Sequence, residues 1–455
     1  MSSAAPATLQ RGPKGLPVLG SILELRRKGI LNFYYDLWRQ YGDVTESHLG
    51  PMHAFGFVRA EHLQHILVHH ADQYVKGLSH AKLRVAIGNG ILTLEGERWY
   101  RQHKLMQPTY TRRNVNGFAD IMTDEAQKLL ARWGSNPALQ QGVNINQEMT
   151  SVTMNIISRA VFGFALGNEF QRAAQALHSL LDYTAKTTNS IIDTPLFIPT
   201  ATNQQLKQGR RVLREFITRI IAQRRSEGLQ DDLLSMLMSA KDADTGEVMT
   251  DEELFDEVVI TFFAGHETTA SLLTWTLFLL SKHPDVEAQL HAELDAVLNG
   301  RSPTLDDMQN LPYTRRVLDE TLRLYGPVPV VARDATEAGE VDGVVVPKGA
   351  LLVMLPYATH RHPDYWEKPD AFYPDHFTEA QTANRPRYAY LPFGAGQRIC
   401  LGMHFALLEA TLLLAEIMQR YRVRLAQDFD GGVEFIGVIR PRSPIILRFE
   451  PRNSA

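Results

Sequence analysis

A helix-length stretch over residues 250–282, acidic in its first turns, then largely apolar and interrupted near its middle, constrains this chain of 455 residues more than any other feature. Thr250 and Glu253 form a capping-box pattern at its start, and His283-Pro284 closes it, so it reads as one helix. At about 1.5 Å per residue such a helix is roughly 48 Å long, enough to cross the molecule. Its surroundings repeat the pattern. From about residue 99 to 238 the chain is mainly helical in period, with Leu129, Leu130, Ile156, Ile157, Leu180 and Leu181 at helical spacings. Further helices fit residues 312–324 and 401–421, while strands are short: Ala54-Phe-Gly-Phe-Val58, a hairpin over 339–346, and 445–449. The opening residues 11–20 alternate turn formers with apolar residues, as a packed lead-in does. The expected fold is mainly α, a large helical domain with a small β-rich N-terminal lobe. No repeat, low-complexity tract or linker interrupts it, so residues 1–455 are expected to form a single domain.

The composition removes several function classes. With 47 Lys and Arg against 51 Asp and Glu, no whole-chain basic field points to nucleic acid. Residues 1–10 are small and polar and lack the regions of a secretory signal. The apolar stretch 407–417 is interrupted by Glu409 and Glu416, and 351–355 is far too short to cross a bilayer. A cytoplasmic protein without a membrane anchor is therefore expected. Cys400 is the only cysteine, which excludes an intramolecular disulfide, a multi-thiolate zinc site and an iron–sulfur cluster.

A lone cysteine is most often a small buried hydrophobe, and a cysteine-protease nucleophile would need a positioned histidine that nothing here signals. The setting of Cys400 is different. In Phe393-Gly-Ala-Gly-Gln-Arg-Ile-Cys400-Leu-Gly402 it lies among glycines just before an apolar helix. Glycines let backbone approach a flat ligand, and a helix N-terminus favours a thiolate over a thiol. An anionic sulfur suits a haem iron, because its electron donation assists cleavage of the O–O bond. The segment resembles the haem-binding signature of the cytochrome P450 family, with Phe393, Gly396, Arg398, Cys400 and Gly402 at all of its fixed positions. That resemblance implies the cytochrome P450 fold and heme b (iron protoporphyrin IX). In it, Cys400 is the metal ligand, Phe393 packs near the sulfur, and Arg398 pairs with a propionate.

Two further motifs follow the same family in order. Glu320 and Arg323 share a helix face, which alone reads as a surface ion pair of little worth. The Tyr325-Gly-Pro-Val-Pro329 turn after them resembles the segment following the family's Glu-x-x-Arg motif, which is buried and joined by a third basic residue. The matching stretch is Pro374-Asp-His-Phe377, so His376 stands where arginine is more usual. In the long helix, Ala264-Gly-His-Glu-Thr-Thr-Ala270 puts a glycine and four polar residues into an apolar pattern. That is costly in a core helix unless a ligand or polar group is near, and otherwise marks a solvated face or a hydroxyl bend. The stretch resembles the family's oxygen-handling motif, which implies Glu267 and Thr268 as the catalytic pair. Splitting the O–O bond needs two protons, delivered through Thr268 and supplied by Glu267. His266 is expected to face outward or to pack structurally.

Trp99-Tyr-Arg-Gln-His103 resembles the family's Trp-x-x-x-Arg helix, with histidine at position 103, and Arg333 matches another propionate ligand. Family position implies a distal pocket of Leu92, Phe262, Phe263, Ala264, Val328, Val330 and the hairpin tip 436–438, with Ile436 and Val438. None of these side chains is charged, so a hydrophobic substrate such as a fatty acid, terpenoid or steroid-like ring system is expected. No flavin or nicotinamide loop is evident, so electrons are expected from a separate protein, a ferredoxin or flavodoxin with its reductase. Lys104, Arg112 and Arg113 are candidates for its docking patch. The implied reaction is a monooxygenation using dioxygen. Peroxygenase, isomerase or dehydratase chemistry is the alternative, as is a non-enzymatic haem sensor, which would not need the Glu267-Thr268 pair.

Overall fold

The computed structural model describes residues 11–136, 138–163, 172–177, 179–180, 183–184 and 195–452; residues 1–10 and Leu181 lie outside the described residues. The chain divides into two compact units. One comprises Met1–Ser79, Val328–Asp370 and Arg385–Ile399; the other comprises His80–Pro327, Ala371–Asn384 and Cys400–Ala455.

The first unit carries a five-stranded sheet whose spatial order is Val44–Leu49, Met52–Phe57, Leu351–Met354, Val331–Ala335 and Tyr74–Val75. Met52–Phe57 covers the strand expected around Phe55. It pairs antiparallel with Val44–Leu49 (Ser47 opposite Ala54) and parallel with Leu351–Met354 (Phe55 opposite Leu352). Both faces of Met52–Phe57 are buried from Ala54 onward, which is why its sequence is an unbroken apolar run. Phe55, Phe57, Leu63, Leu352 and Met354 form one core with Leu391 and Ala395 at the start of the cysteine loop. The lead-in is non-helical as expected, with Leu16 and Gly20 exchanging backbone hydrogen bonds of 2.8 and 2.7 Å. A helix, Ile22–Tyr41, follows and bends at Gly29, whose φ of 75° takes it out of the helical region.

The second unit is mainly helical, and its organising element is the long helix Asp251–Lys282. Both halves of the expected capping box are present. Thr250 accepts the Glu253 N–H at 3.3 Å, and the Glu253 carboxylate accepts the Thr250 N–H at 2.8 Å. Asp251, Glu252 and Glu253 occupy its first turn and Lys282 its last, each favourable to the helix dipole. Pro284 then starts the next helix, Pro284–Leu298, where a missing N–H costs nothing. The long helix packs along Ile145–Phe162 and against Pro312–Tyr325, where Trp275 stacks on Tyr325 with ring centroids 4.0 Å apart. Leu129, Leu130, Ile156, Ile157 and Leu180 are all buried. The helix expected near 401–421 runs Met403–Arg420, and the hairpin expected over 339–346 is formed in the first unit by Gly339–Val341 and Val344–Val346. The strand expected at 445–449 is Ile446–Pro451, between Val143–Asn144 and Tyr421–Leu425. Among the described residues no helix is long and apolar enough to cross a membrane.

Candidate functional site

The long helix is buried from Leu254 to Phe262 and again from Thr269 to Leu280, and opens between them. Ala264 is exposed and Phe263, Gly265, Glu267 and Thr268 are half-buried, while His266 is fully buried. That contrast gives the stretch two faces. On the packed face His266 donates from Nδ1 to the Phe262 carbonyl at 2.6 Å, and its own carbonyl accepts the Thr153 hydroxyl at 3.0 Å. His266 is therefore structural rather than outward-facing. A Cβ on Gly265 would come within 3.0 Å of Ile157, so this glycine allows the two helices their close approach. On the open face the Thr268 hydroxyl donates to the Ala264 carbonyl at 2.7 Å. Burial pushes the Glu267 carboxyl up from its ordinary value, and Arg440, 3.3 Å away, offsets this only in part.

Arg440 belongs to the hairpin Val433–Ile436 and Val438–Pro441, whose turn is Gly437 with φ 79°. Ile436 and Val438 face each other across it. The hairpin is tied to the long helix by Ser271, which donates to the Ile439 carbonyl at 2.6 Å. Arg440 was not legible as a site residue, because nothing in its local sequence pairs it with a carboxylate 173 positions away.

Cys400 stands three residues before the first residue of the helix Met403–Arg420 and two before its N-cap, Gly402. Its side chain is exposed, and desolvation by the neighbouring protein pushes the thiol above its ordinary value. The Gly402 N–H hydrogen bond acts in the opposite direction and is smaller. This corrects the expectation that the helix N-terminus by itself would favour a thiolate. One N–H and a dipole ending two residues away do not outweigh desolvation of the anion. A metal ion on the sulfur reverses that balance, because coordination deprotonates a thiol outright. Among the described residues no three His, Cys, Asp or Glu side chains gather as a metal cluster. The donor set therefore fits a metal that brings its other ligands with it, as haem iron does in its macrocycle. Earlier in the loop, Gly396 has φ 67° and a Cβ there would lie 2.1 Å from the Leu67 carbonyl oxygen, so no other residue fits that turn.

Glu320 and Arg323, on Pro312–Tyr325, form the buried network expected of them. Arg323 donates from Nε and Nη2 to the two Glu320 oxygens, both at 2.8 Å, and from Nη2 to the Ala371 carbonyl at 2.7 Å. Glu320 also accepts the Tyr373 N–H at 2.8 Å and meets His376 Nδ1 at 3.0 Å. His376 thus occupies the third basic position, and the backbone of residues 371–373 joins a network that the motifs alone did not include.

The remaining expected residues are dispersed over both units. Trp99 is buried on the helix Gly96–Met106, with its ring 4.9 Å from that of His103. Arg333 is buried on the strand Val331–Ala335 and donates to the Ala332 carbonyl at 2.8 Å; Arg398 is half-buried in a short 3-10 turn, and Phe393 is half-buried. Leu92 is half-buried in a loop pinned to the long helix by Asp256, which accepts the Asn89 N–H at 2.7 Å, and by Glu257, which accepts the Ile91 N–H at 2.8 Å. Phe262 stacks on Phe162 at 5.3 Å inside the helical core. Val330 and Val438 are buried and Val328 is exposed. Lys104 is ion-paired with Asp244 and lies 3.8 Å from Asp242, so its charge is largely spent within the fold, whereas Arg112 and Arg113 are exposed.

The Cytochrome P450 family model matches residues 11–449. Cyclooctatin synthase of Streptomyces melanosporofaciens is 34% identical over 417 residues, covering 90% of this chain and 89% of that protein. Cyclooctat-9-en-7-ol 5-monooxygenase of the same organism is 32% identical over 421 residues, covering 92% and 90%. Among solved structures, the cytochrome P450DA heme domain superposes with a TM-score of 0.87 at 28% identity, covering 97% of this chain and 98% of that one.

Proposed function

The chain belongs to the cytochrome P450 family, a haem-binding family, and is an oxidoreductase of the monooxygenase class; from that premise we propose that it inserts one oxygen atom from dioxygen into a hydrophobic, ring-containing substrate. Cyclooctat-9-en-7-ol, for which the Streptomyces melanosporofaciens 5-monooxygenase is named, is such a molecule. Heme b is the proposed cofactor, and when bound through a thiolate it supplies oxygen activation. Cys400 is its ligand, and Arg398 and Arg333, with His103 and Trp99, hold its propionates. Glu320, Arg323 and His376 act through the fold rather than on the substrate.

The observation that carries this reading is the open stretch of an otherwise buried helix, where Ala264 gives room and an alcohol and an acid are adjacent. Thr268 Oγ, resting on the Ala264 carbonyl at 2.7 Å, holds a proton at a fixed point. Glu267, whose carboxyl burial pushes up, stands next to Thr268 as the acid that would supply protons. A passive haem carrier has no use for that pair. Electrons come from a separate partner protein of the ferredoxin or flavodoxin kind, for which Arg112 and Arg113 offer exposed charge.

The test is to reconstitute turnover with a surrogate ferredoxin and reductase and to follow reductant, peroxide and product. Wild type is expected to couple reductant to product, and Thr268→Ala to divert at least about tenfold more of it to peroxide while keeping its red-shifted reduced carbon monoxide band. Unchanged coupling in Thr268→Ala would remove this residue from proton delivery, and turnover with peroxide alone would favour a peroxygenase.

A further inference from the structure

A cleft of about 360 Å³ in the helical unit is lined by three cations, Arg84, Lys207 and Arg210, and by Val85, Leu196 and Leu206 among its apolar side chains. Lys207 and Arg210 lie three residues apart on the helix Ala201–Glu227 and share a face. On the same helix Arg214 meets Glu252, Arg224 meets Asp232 and Arg225 meets Asp251. Among the described residues, none of the three cations at the cleft meets a carboxylate. Arg210 donates instead to the Val85 carbonyl at 2.9 Å, and Arg84 to the Thr93 carbonyl at 2.7 Å, leaving its buried Nε without an acceptor.

The nearby acids are already engaged. Glu252 is held by two hydrogen bonds from Arg214, at 2.5 and 2.7 Å. Asp256 accepts the Asn89 N–H at 2.7 Å behind the loop, and its burial pushes its carboxyl up despite Arg210. A half-buried guanidinium without a carboxylate in direct contact is left short of strong partners, and an arginine presents two parallel donors suited to an oxyanion. We propose that this cleft binds the oxyanion headgroup of an amphipathic molecule, with the start of its apolar chain against Val85, Leu196 and Leu206. The cleft borders the loop that carries Leu92, and the proposal does not depend on the bound molecule being the one oxidised.

The test is calorimetric titration of the haem-loaded protein with decanoate, decyl phosphate and decan-1-ol at low and moderate salt. At least one of the two anions is expected to bind about tenfold more tightly than the alcohol, with the difference narrowing as salt rises. Whichever anion binds more tightly identifies the headgroup as carboxylate or phosphate. Arg210→Gln should weaken the anion about tenfold and Lys207→Gln about threefold, both leaving the alcohol unchanged. Lys207 is exposed, and among the described residues its side chain has no hydrogen bond or ion pair, so its variant decides the matter if Arg210→Gln loses haem. Equal affinity for anions and alcohol, or an anion affinity untouched by Lys207→Gln and by any folded Arg210→Gln, would overturn the proposal.

Discussion

Glu320 and Glu409 are both wholly buried in the helical unit, and the protein treats them in opposite ways. Around Glu320 a bidentate arginine, a backbone N–H and a histidine converge. Glu409, on the helix Met403–Arg420, has neither oxygen in hydrogen-bonding geometry with a donor, and burial pushes its carboxyl well up despite the moderating hydroxyl of Thr269. A buried carboxylate is tolerated where donors are already aimed at it; here Arg323 comes from the same helix, and the Tyr373 N–H and His376 from a segment more than fifty residues away. The hydrogen bonds at Glu320 therefore lock residues 371–376 onto the helix Pro312–Tyr325, whereas Glu409 joins no such network. Glu257 is intermediate: it accepts one N–H from Ile91, and burial pushes its carboxyl up to about 8.

This contrast breaks first at Glu320. Glu320→Ala strands the Arg323 guanidinium in the core and is expected to lose about 3–5 kcal/mol and most haem incorporation, read from the denaturant midpoint and the haem-to-protein ratio. A stable, haem-loaded Glu320→Ala protein would mean that the network locks nothing.

A smaller effect is expected at Glu257, through pH. Because its folded value of about 8 lies above the ordinary 4.5, the folded protein keeps a proton there that the unfolded chain has released. Stability from this group is therefore full below about pH 4.5, falls as pH rises, and levels off above about 8. Glu257→Gln should flatten that fall by up to about 1.4 kcal/mol per pH unit, measured as unfolding free energy between pH 5 and 8. A slope identical to wild type would mean that the carboxyl is charged in the fold.

The smallest change is expected at Glu409. Replacing this acid by its amide, Glu409→Gln, should shift stability at pH 7 by less than about 1 kcal/mol, because among the described residues it has no ion pair to lose. A loss matching that of Glu320→Ala would place an unrecognised donor beside Glu409.

Much of this was readable from the chain. The capping box at Thr250 and the proline stop at 284 placed the long helix, because caps and turns depend on residues a few positions apart. The sign of the Cys400 shift was not readable, since it follows from how many atoms crowd the sulfur. Nor was Arg440 beside Glu267, the engagement of Lys104 by Asp244, or the pinning of the Leu92 loop by Asp256 and Glu257.

By itself, then, the sequence determined the mainly helical fold and the family. Only the tertiary structure decided which of the charges are paired, which are neutralised by burial and which are left facing a cleft. The reason is physical: helix periodicity and capping are local, whereas the electrostatic state of a buried group is set by donors, acceptors and excluded water brought together from distant parts of the chain.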